Sequence, residues 1–507
     1  MWATLMLGIQ VIFTPRMILL LCFSTLLGVL FGALPGVSAA MGVTLMLPFS
    51  YAMGNAEGVA FLVAVYCAAI TGGGITAILF RIPGTSAAAP TTFDGYPLAQ
   101  KGQAGKALAT QLISSSIGGL VAALAMFFLS KQLSNVALKF GTAELFAVAM
   151  LGLSILTSLD SEHPIKTLIS GFMGLFVATI GIDSLTGTKR LTFGSSYLLG
   201  GVSMLPVMIG MFALTEIIGR IVNPIKMEAT EGGGSAVKAK LLSFREAWSL
   251  KWVWLRQSVI GTLVGILPGA GAAIAAFLGY ATELKISKTP EKFGTGCLEG
   301  IAAPETANNA ATGGSMIPML ALGIPGGSSA AIIASAMVMK GMQLGPLLLV
   351  KQPNLLATVF VAMAFVNIFM VFASLGVAKG FSSIIRLPYY ALGSIIIMLC
   401  MIGCFAIQNN TQNMMLMVVA GAIGLFFVRL GYSPSAFILG LVLGSICEVN
   451  LRRAVLVHYG KYMDVFSRPL TAVLLIISVL LAVIPIALPK LRKKLNLSGK
   501  KKPGDKS

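Results

Sequence analysis

Four Pro-Gly dipeptides interrupt long apolar runs in this chain: Pro35-Gly36, Pro83-Gly84, Pro268-Gly269 and Pro325-Gly326. Proline removes an N–H donor and glycine permits positive φ, so each pair breaks a helix and bares backbone amides and carbonyls. At membrane depth such a break is tolerated only where protein encloses it or where it lines a wet cavity. Exposed helix N-termini favour anions, and freed carbonyls favour cations such as Na⁺. Small or hydroxylated residues flank the breaks at Ser38, Thr85, Ser86, Gly271, Gly327, Ser328 and Ser329. One break alone reads as a packing kink. Four of them, paired along the chain, point to capture of a carboxylate-sized anion at the two Ile-Pro-Gly segments, with Na⁺ beside the two Leu-Pro-Gly turns.

The second concentration of chemistry is GIAAPETANNAATGG, Gly300 to Gly314, which crowds Glu305, Thr306, Asn308, Asn309 and Thr312 between apolar runs. A polar loop is the plainer reading, but ionisable and amide groups at membrane depth are costly and default to functional candidates. The expected anion site therefore comprises Ser38, Pro83, Gly84, Thr85, Ser86, Asn308, Asn309, Pro325, Gly326, Gly327, Ser328 and Ser329. The expected Na⁺ ligands come from Pro35, Gly36, Thr71, Pro268, Gly269, Glu305 and Thr312. Glu305 is equally suited to carry a proton or to cap a helix.

Other acids read structurally. Glu448 precedes Arg452 by four residues, a spacing that permits a local ion pair at a helix end. Asp183 lies in a glycine- and threonine-rich turn, while Glu144 and Glu216 adjoin apolar segments. The polar connection Arg81 to Leu108, with Asp94, Lys101 and Lys106, is a candidate gate or docking surface.

The motifs fall in a duplicated pattern. GVLFGALPGVSAA, from Gly28, and GTLVGILPGAGAA, from Gly261, share eight of thirteen positions at an offset of 233 residues. Chance in so biased a composition gives about one or two. TGGGITAILFRIPGTSAAA, from Thr71, aligns with TGGSMIPMLALGIPGGSSAA, from Thr312, at an offset of 242 on the prolines. Duplicated halves with interrupted helices are a signature of secondary transporters.

Composition sets the element class. Of 507 residues 56% are hydrophobic and 10% charged, with mean hydropathy +0.90, against roughly 25% charged in soluble domains. The chain reads as an all-α polytopic membrane protein with roughly 10–13 spans of about 20 residues each. These form two homologous, inverted repeats with broken helices or re-entrant hairpins at the LPG and IPG motifs. The expected divisions are a first repeat over 1–222, a polar linker over 223–251 and a second repeat over 252–450. A connection and final transmembrane helix follow over 451–489, then a basic tail over 490–507. That tail holds eight basic residues against one acid, +7 of the net +19. Its charge is a cytoplasmic topology signal rather than a nucleic-acid footprint. The amino terminus has no basic n-region, so no cleaved signal peptide is expected.

Enzyme chemistry finds little support. The five aspartates sit in polar segments, and neither His163 nor His458 adjoins a nucleophile. The six cysteines form no CxxC pair, so no transition-metal site and no organic cofactor are expected. A channel or scaffold subunit remains as the alternative class.

GALPGVSAA, TGGGITAILFRIPGTSAA, FDGYPLAQKGQAGKAL, GIDSLTGTKRLTFG, GILPGAGAA, GIAAPETANNAATGGSMIPMLALGIPGG and LGSICEVNLRRA follow one another along nearly the whole chain. In this order the sequence resembles the large membrane subunit of the tripartite tricarboxylate transporters, the TctA family. The resemblance implies a bacterial inner-membrane permease working with a small membrane subunit and a periplasmic solute-binding protein. It further implies uptake of a di- or tricarboxylate such as citrate, coupled to an ion gradient, usually Na⁺, with proton coupling as the alternative.

Overall fold

The computed structural model describes residues 2–34, 37–159, 163–183, 185–222, 242–269, 271–384, 389–406 and 409–498. It is built of helices, as an apolar chain must be to satisfy its own backbone in lipid. Seven helices are long and apolar enough to cross a membrane, and six shorter apolar ones accompany them among the described residues. The strands described are two-residue pieces, β1 (Gly181–Ile182) and β2 (Lys189–Arg190), paired antiparallel with Gly181 opposite Arg190.

The chain divides into two compact units, 1–139 with 203–426, and 140–202 with 427–507. This spatial division cuts the chain differently from the sequence repeat, because each unit is assembled from two separate stretches.

In the larger unit, the helices Asn55–Phe80 and Leu298–Leu322 form the core. Every residue from Gly58 to Leu79 and from Gly300 to Ala321 is buried. Such all-round burial marks helices enclosed by others. Glycine lets their neighbours approach backbone to backbone, as in small-residue membrane interfaces. A Cβ at Gly32 would strike the carbonyl of Ala69, and one at Gly265 would strike that of Ala311. The first pair joins Pro15–Ala33 to Asn55–Phe80, and the second joins Lys251–Ile266 to Leu298–Leu322.

The end of the segment expected as linker is helical. Ser243 and Glu246 form a capping box that starts the helix Phe244–Ser249, and Glu246 pairs with Lys106. Residues 223–241 lie outside the described residues.

The smaller unit packs Thr142–Leu159, Pro164–Val177, Pro434–Val457 and Pro469–Ser498. Its buried Glu144 accepts from Gly141 N–H (2.8 Å) and Thr471 Oγ1 (3.1 Å) and pairs with Arg468 (3.2 Å). At the hairpin, Glu448 pairs with Arg190 and with Arg452, the latter at 3.2 Å and four residues on, and Arg452 also pairs with Asp183. Asp183 caps its own turn, accepting from Leu185 N–H and Thr186 Oγ1, each at 2.8 Å. The final helix continues to Ser498, past the expected boundary at 489, while tail residues 499–507 lie outside the described residues.

Candidate functional site

Both Ile-Pro-Gly segments end a core helix by the same device. Arg81 adopts left-handed φ 58° after Asn55–Phe80, and Gly323 adopts φ 79° after Leu298–Leu322. The chain then returns along the helix it has left. Ile82 N–H bonds the Thr76 carbonyl (3.3 Å) and Gly84 N–H the Gly73 carbonyl (3.1 Å). Ile324 N–H bonds the Pro318 carbonyl (3.2 Å) and Gly326 N–H the Ser315 carbonyl (3.1 Å). Each second pair stands 242 residues after the first, the offset of the sequence motif.

The Leu-Pro-Gly turns meet these returns. Gly269 N–H bonds the Gly326 carbonyl at 2.9 Å. A Cβ at Gly326 would strike the Gly265 carbonyl, and one at Gly84 the Gly32 carbonyl. Pro35 and Gly36 lie outside the described residues. Pro268, Pro325, Gly326 and Ser329 are buried, while Pro83, Gly269, Gly327 and Ser328 are half-buried and Ser86 is exposed. Thr85 is buried, with no hydrogen-bond partner for its Oγ1 among the described residues. Ser38 caps the helix Ala39–Tyr51 through Met41 N–H (3.1 Å) and donates to Glu216 Oε2 (2.8 Å), so its hydroxyl is already engaged.

The two core helices face each other in reversed order. Tyr66 OH is 3.3 Å from Ser315 Oγ, Cys67 donates to Thr312 Oγ1 (3.7 Å), and Thr71 donates to Asn309 Oδ1 (2.9 Å). Gly74 lies against the Glu305 carboxylate. Position rises on one helix as it falls on the other, so Asn55–Phe80 and Leu298–Leu322 run antiparallel.

Thr71, Glu305 and Thr312 come together through Asn309. Its amide donates to the Glu305 carbonyl (3.3 Å) and to Asn308 Oδ1 (2.8 Å), and its own carbonyl accepts from Thr312 Oγ1 (2.6 Å). Asn308 donates to the Ala87 carbonyl (3.2 Å), just past the first Ile-Pro-Gly. In this arrangement the two amides hold protein groups.

The Glu305 carboxylate is fully buried. Thr91 Oγ1 donates to its Oε1 at 2.6 Å, while Ser115 Oγ (2.9 Å) and Gln111 Nε2 (3.3 Å) donate to Oε2. Gln111 Nε2 also donates to the Thr71 carbonyl (2.9 Å). The sequence reading passed over Thr91, Gln111 and Ser115. Gln111 and Ser115, one helical turn apart inside an apolar run, were the legible signal.

Asp94 fixes the segment that carries Thr91. It is buried one turn further along Thr91–Leu98 and accepts from the N–H groups of Gly294 (3.0 Å), Gly296 (2.8 Å) and Cys297 (2.9 Å). Tyr280 OH adds a fourth donor at 3.0 Å. Gly294 and Gly296 take φ 80° and 102°, which turns their amides onto the carboxylate. Lys101 bonds the Thr295 carbonyl beside them at 2.7 Å. The connection expected as a gate or docking surface is thus fastened to the loop before Leu298–Leu322.

Helices long and apolar enough to cross a membrane, glycine-mediated backbone contacts and polar groups buried among the helices together define a polytopic all-α membrane protein. A model of the tripartite tricarboxylate transporter TctA family matches residues 18–439, and the chain belongs to that family. It is therefore a component of a tricarboxylate transporter. It is 35% identical over 492 residues to an "Uncharacterized 52.8 kDa protein in TAR-I ttuC' 3'region" of Agrobacterium vitis, covering 97% of each chain. It is 37% identical over 234 residues to an "Uncharacterized protein in TAR-II ttuC' 3'region" of the same organism, covering 46% of this chain and 96% of that one.

Proposed function

We propose that this chain is the permease of a secondary active importer that moves an organic di- or tricarboxylate, such as citrate, together with Na⁺ by alternating access. The observation that carries this reading is the pair of Ile-Pro-Gly returns, with matching hydrogen bonds 242 residues apart, on antiparallel core helices. Corresponding helices of opposite direction are what inverted repeats produce, and transporters of that design bind substrate where the repeats meet. The helix Ser328–Met339 begins at the second return without a side-chain cap, so its first amides suit a carboxylate. Glu305 supplies a charge for the coupling ion.

Under this reading a periplasmic solute-binding protein delivers the carboxylate and a small membrane subunit completes the complex in the bacterial inner membrane. The basic tail faces the cytoplasm. The test is uptake of labelled citrate by proteoliposomes holding all three subunits, with and without an inward Na⁺ gradient. Na⁺-dependent uptake that needs the binding protein is the expected result. Uptake driven only by a proton gradient would replace Na⁺ coupling, and absence of uptake for every carboxylate tried would favour a channel or scaffold.

A further inference from the structure

The described residues contain five buried acids: Asp94, Glu144, Asp183, Glu283 and Glu305. Glu144 pairs with Arg468, Asp183 with Arg452, and Glu283 with Arg256. Asp94 is filled by three backbone amides and a phenol. Glu305 has neither. Among the described residues no basic side chain forms an ion pair with it. Among the described residues its partners are all neutral, the hydroxyls of Thr91 and Ser115 and the side-chain amides of Gln111 and Asn308. Burying an ionised carboxylate so sparsely compensated is expensive unless a cation completes it.

A second observation concerns Gln111. It is fully buried, its amide contacts Glu305, and its Oε1 has no hydrogen-bond partner among the described residues. Resting on the transport reading above, we propose that Glu305, Gln111, Ser115 and Thr91 form a dehydrated site for Na⁺, shared between the two halves of the chain and closed by the segment after the first Ile-Pro-Gly.

The donor set suits this ligand. The carboxylate, two hydroxyls, the free amide oxygen and the adjoining Thr71 carbonyl are all hard oxygens, which alkali and alkaline-earth cations prefer. One uncompensated carboxylate balances one charge, which selects a monovalent ion. On binding, the hydroxyls rotate to offer lone pairs instead of protons, and the free Gln111 oxygen becomes a ligand. Three of the four residues come from the first half and Glu305 from the second. Thr91 stands on the short helix Thr91–Leu98, which follows the first Ile-Pro-Gly and which Asp94, one turn on, fastens to the loop at Gly296. Displacement of that helix would withdraw Thr91 and open the site, linking ion occupancy to movement of the broken-helix arm.

The test reads binding rather than transport. The purified full-length protein is unfolded thermally in NaCl or choline chloride, at matched ionic strength and fixed pH. We expect Na⁺ to raise the midpoint saturably. Ser115→Ala and Gln111→Ala should raise the half-saturating Na⁺ concentration about tenfold, the scale of losing one supporting group at a cation site. Glu305→Gln, which preserves shape, should abolish the saturable response. A Na⁺ response in Glu305→Gln equal to that of the unaltered protein would overturn the proposal. So would no Na⁺ response in the unaltered protein, including the case where acid alone stabilises it and Glu305→Gln removes that effect, which would make the ligand a proton. Failure of carboxylate uptake with Na⁺ binding intact would count against the transport reading and leave this site standing.

Discussion

Gly84 donates its backbone N–H to the carbonyl of Gly73 across 3.1 Å, folding the chain back along the helix it has just left. Gly326 does the same to Ser315 at the same distance. The matching returns tie proline-induced helix ends to enclosed backbone, which is how irregular structure persists within a membrane body.

Side chains at these two glycines should not be tolerated. A Cβ at Gly84 would lie 2.9 Å from Gly73 Cα, and one at Gly326 would lie 2.6 Å from Ser315 Cα. Gly84→Val and Gly326→Val should each cost about 1–3 kcal/mol, as overpacking does. Gly219→Ala, whose Cβ meets open space in a helix, should be neutral or slightly stabilising. Thermal midpoints of the purified variants check this, and unaltered midpoints for both valine variants would contradict the packing described.

Asp94 should behave as a fastening. Asp94→Ala strands three backbone amides and the Tyr280 hydroxyl, and a lowered stability of about 3 kcal/mol is expected from lost charge-assisted bonds. Asp94→Asn, which keeps one acceptor oxygen, should lose less. Denaturant unfolding in detergent would measure both, and an Asp94→Ala protein as stable as the unaltered one would show that the loop is held by other contacts.

The hairpin cluster carries a pH dependence of known sign. The Arg452 guanidinium, and after it the Leu185 amide, hold the Asp183 carboxyl well below the usual carboxylate range. A depressed value in the folded state gives stability that is complete above the ~3.9 of an unfolded aspartate. That stability drains away as pH falls through the folded value. Hydrogen exchange across residues 181–190, corrected for its intrinsic pH dependence, should therefore accelerate on acidification below about pH 4. Asp183→Asn should flatten this response, and an unchanged pH profile in that variant would assign it elsewhere.

Much of the architecture was legible in sequence for a physical reason. Hydropathy reports how far a helix is enclosed, so the all-α membrane class could be read from residue types alone, and proline followed by glycine stands just past the core-helix ends at Phe80 and Leu322. Glu305 stood out because a carboxylate within an apolar run demands compensation. What compensates it could not be read. Thr91, Gln111 and Ser115 lie 214, 194 and 190 residues away, and hydropathy does not say which helix faces which. The same limit hid the assembly of 140–202 with 427–507. Asn308 and Asn309 stand out in the sequence as candidate anion ligands, but sequence shows their donors and not the Ala87 and Glu305 carbonyls that accept from them. The glycine-rich composition of 223–251 suggests an unbroken linker and hides the helix that the capping box of Ser243 and Glu246 starts.

The most direct measurement is the steady-state distribution of a labelled tricarboxylate in proteoliposomes of the assembled transporter, at several imposed Na⁺ gradients. Coupled import predicts an internal concentration above the external one, rising with the gradient and collapsing when a Na⁺ ionophore dissipates it. Internal and external concentrations that only equalise, whatever the Na⁺ gradient, would contradict coupled alternating access and identify a passive pathway.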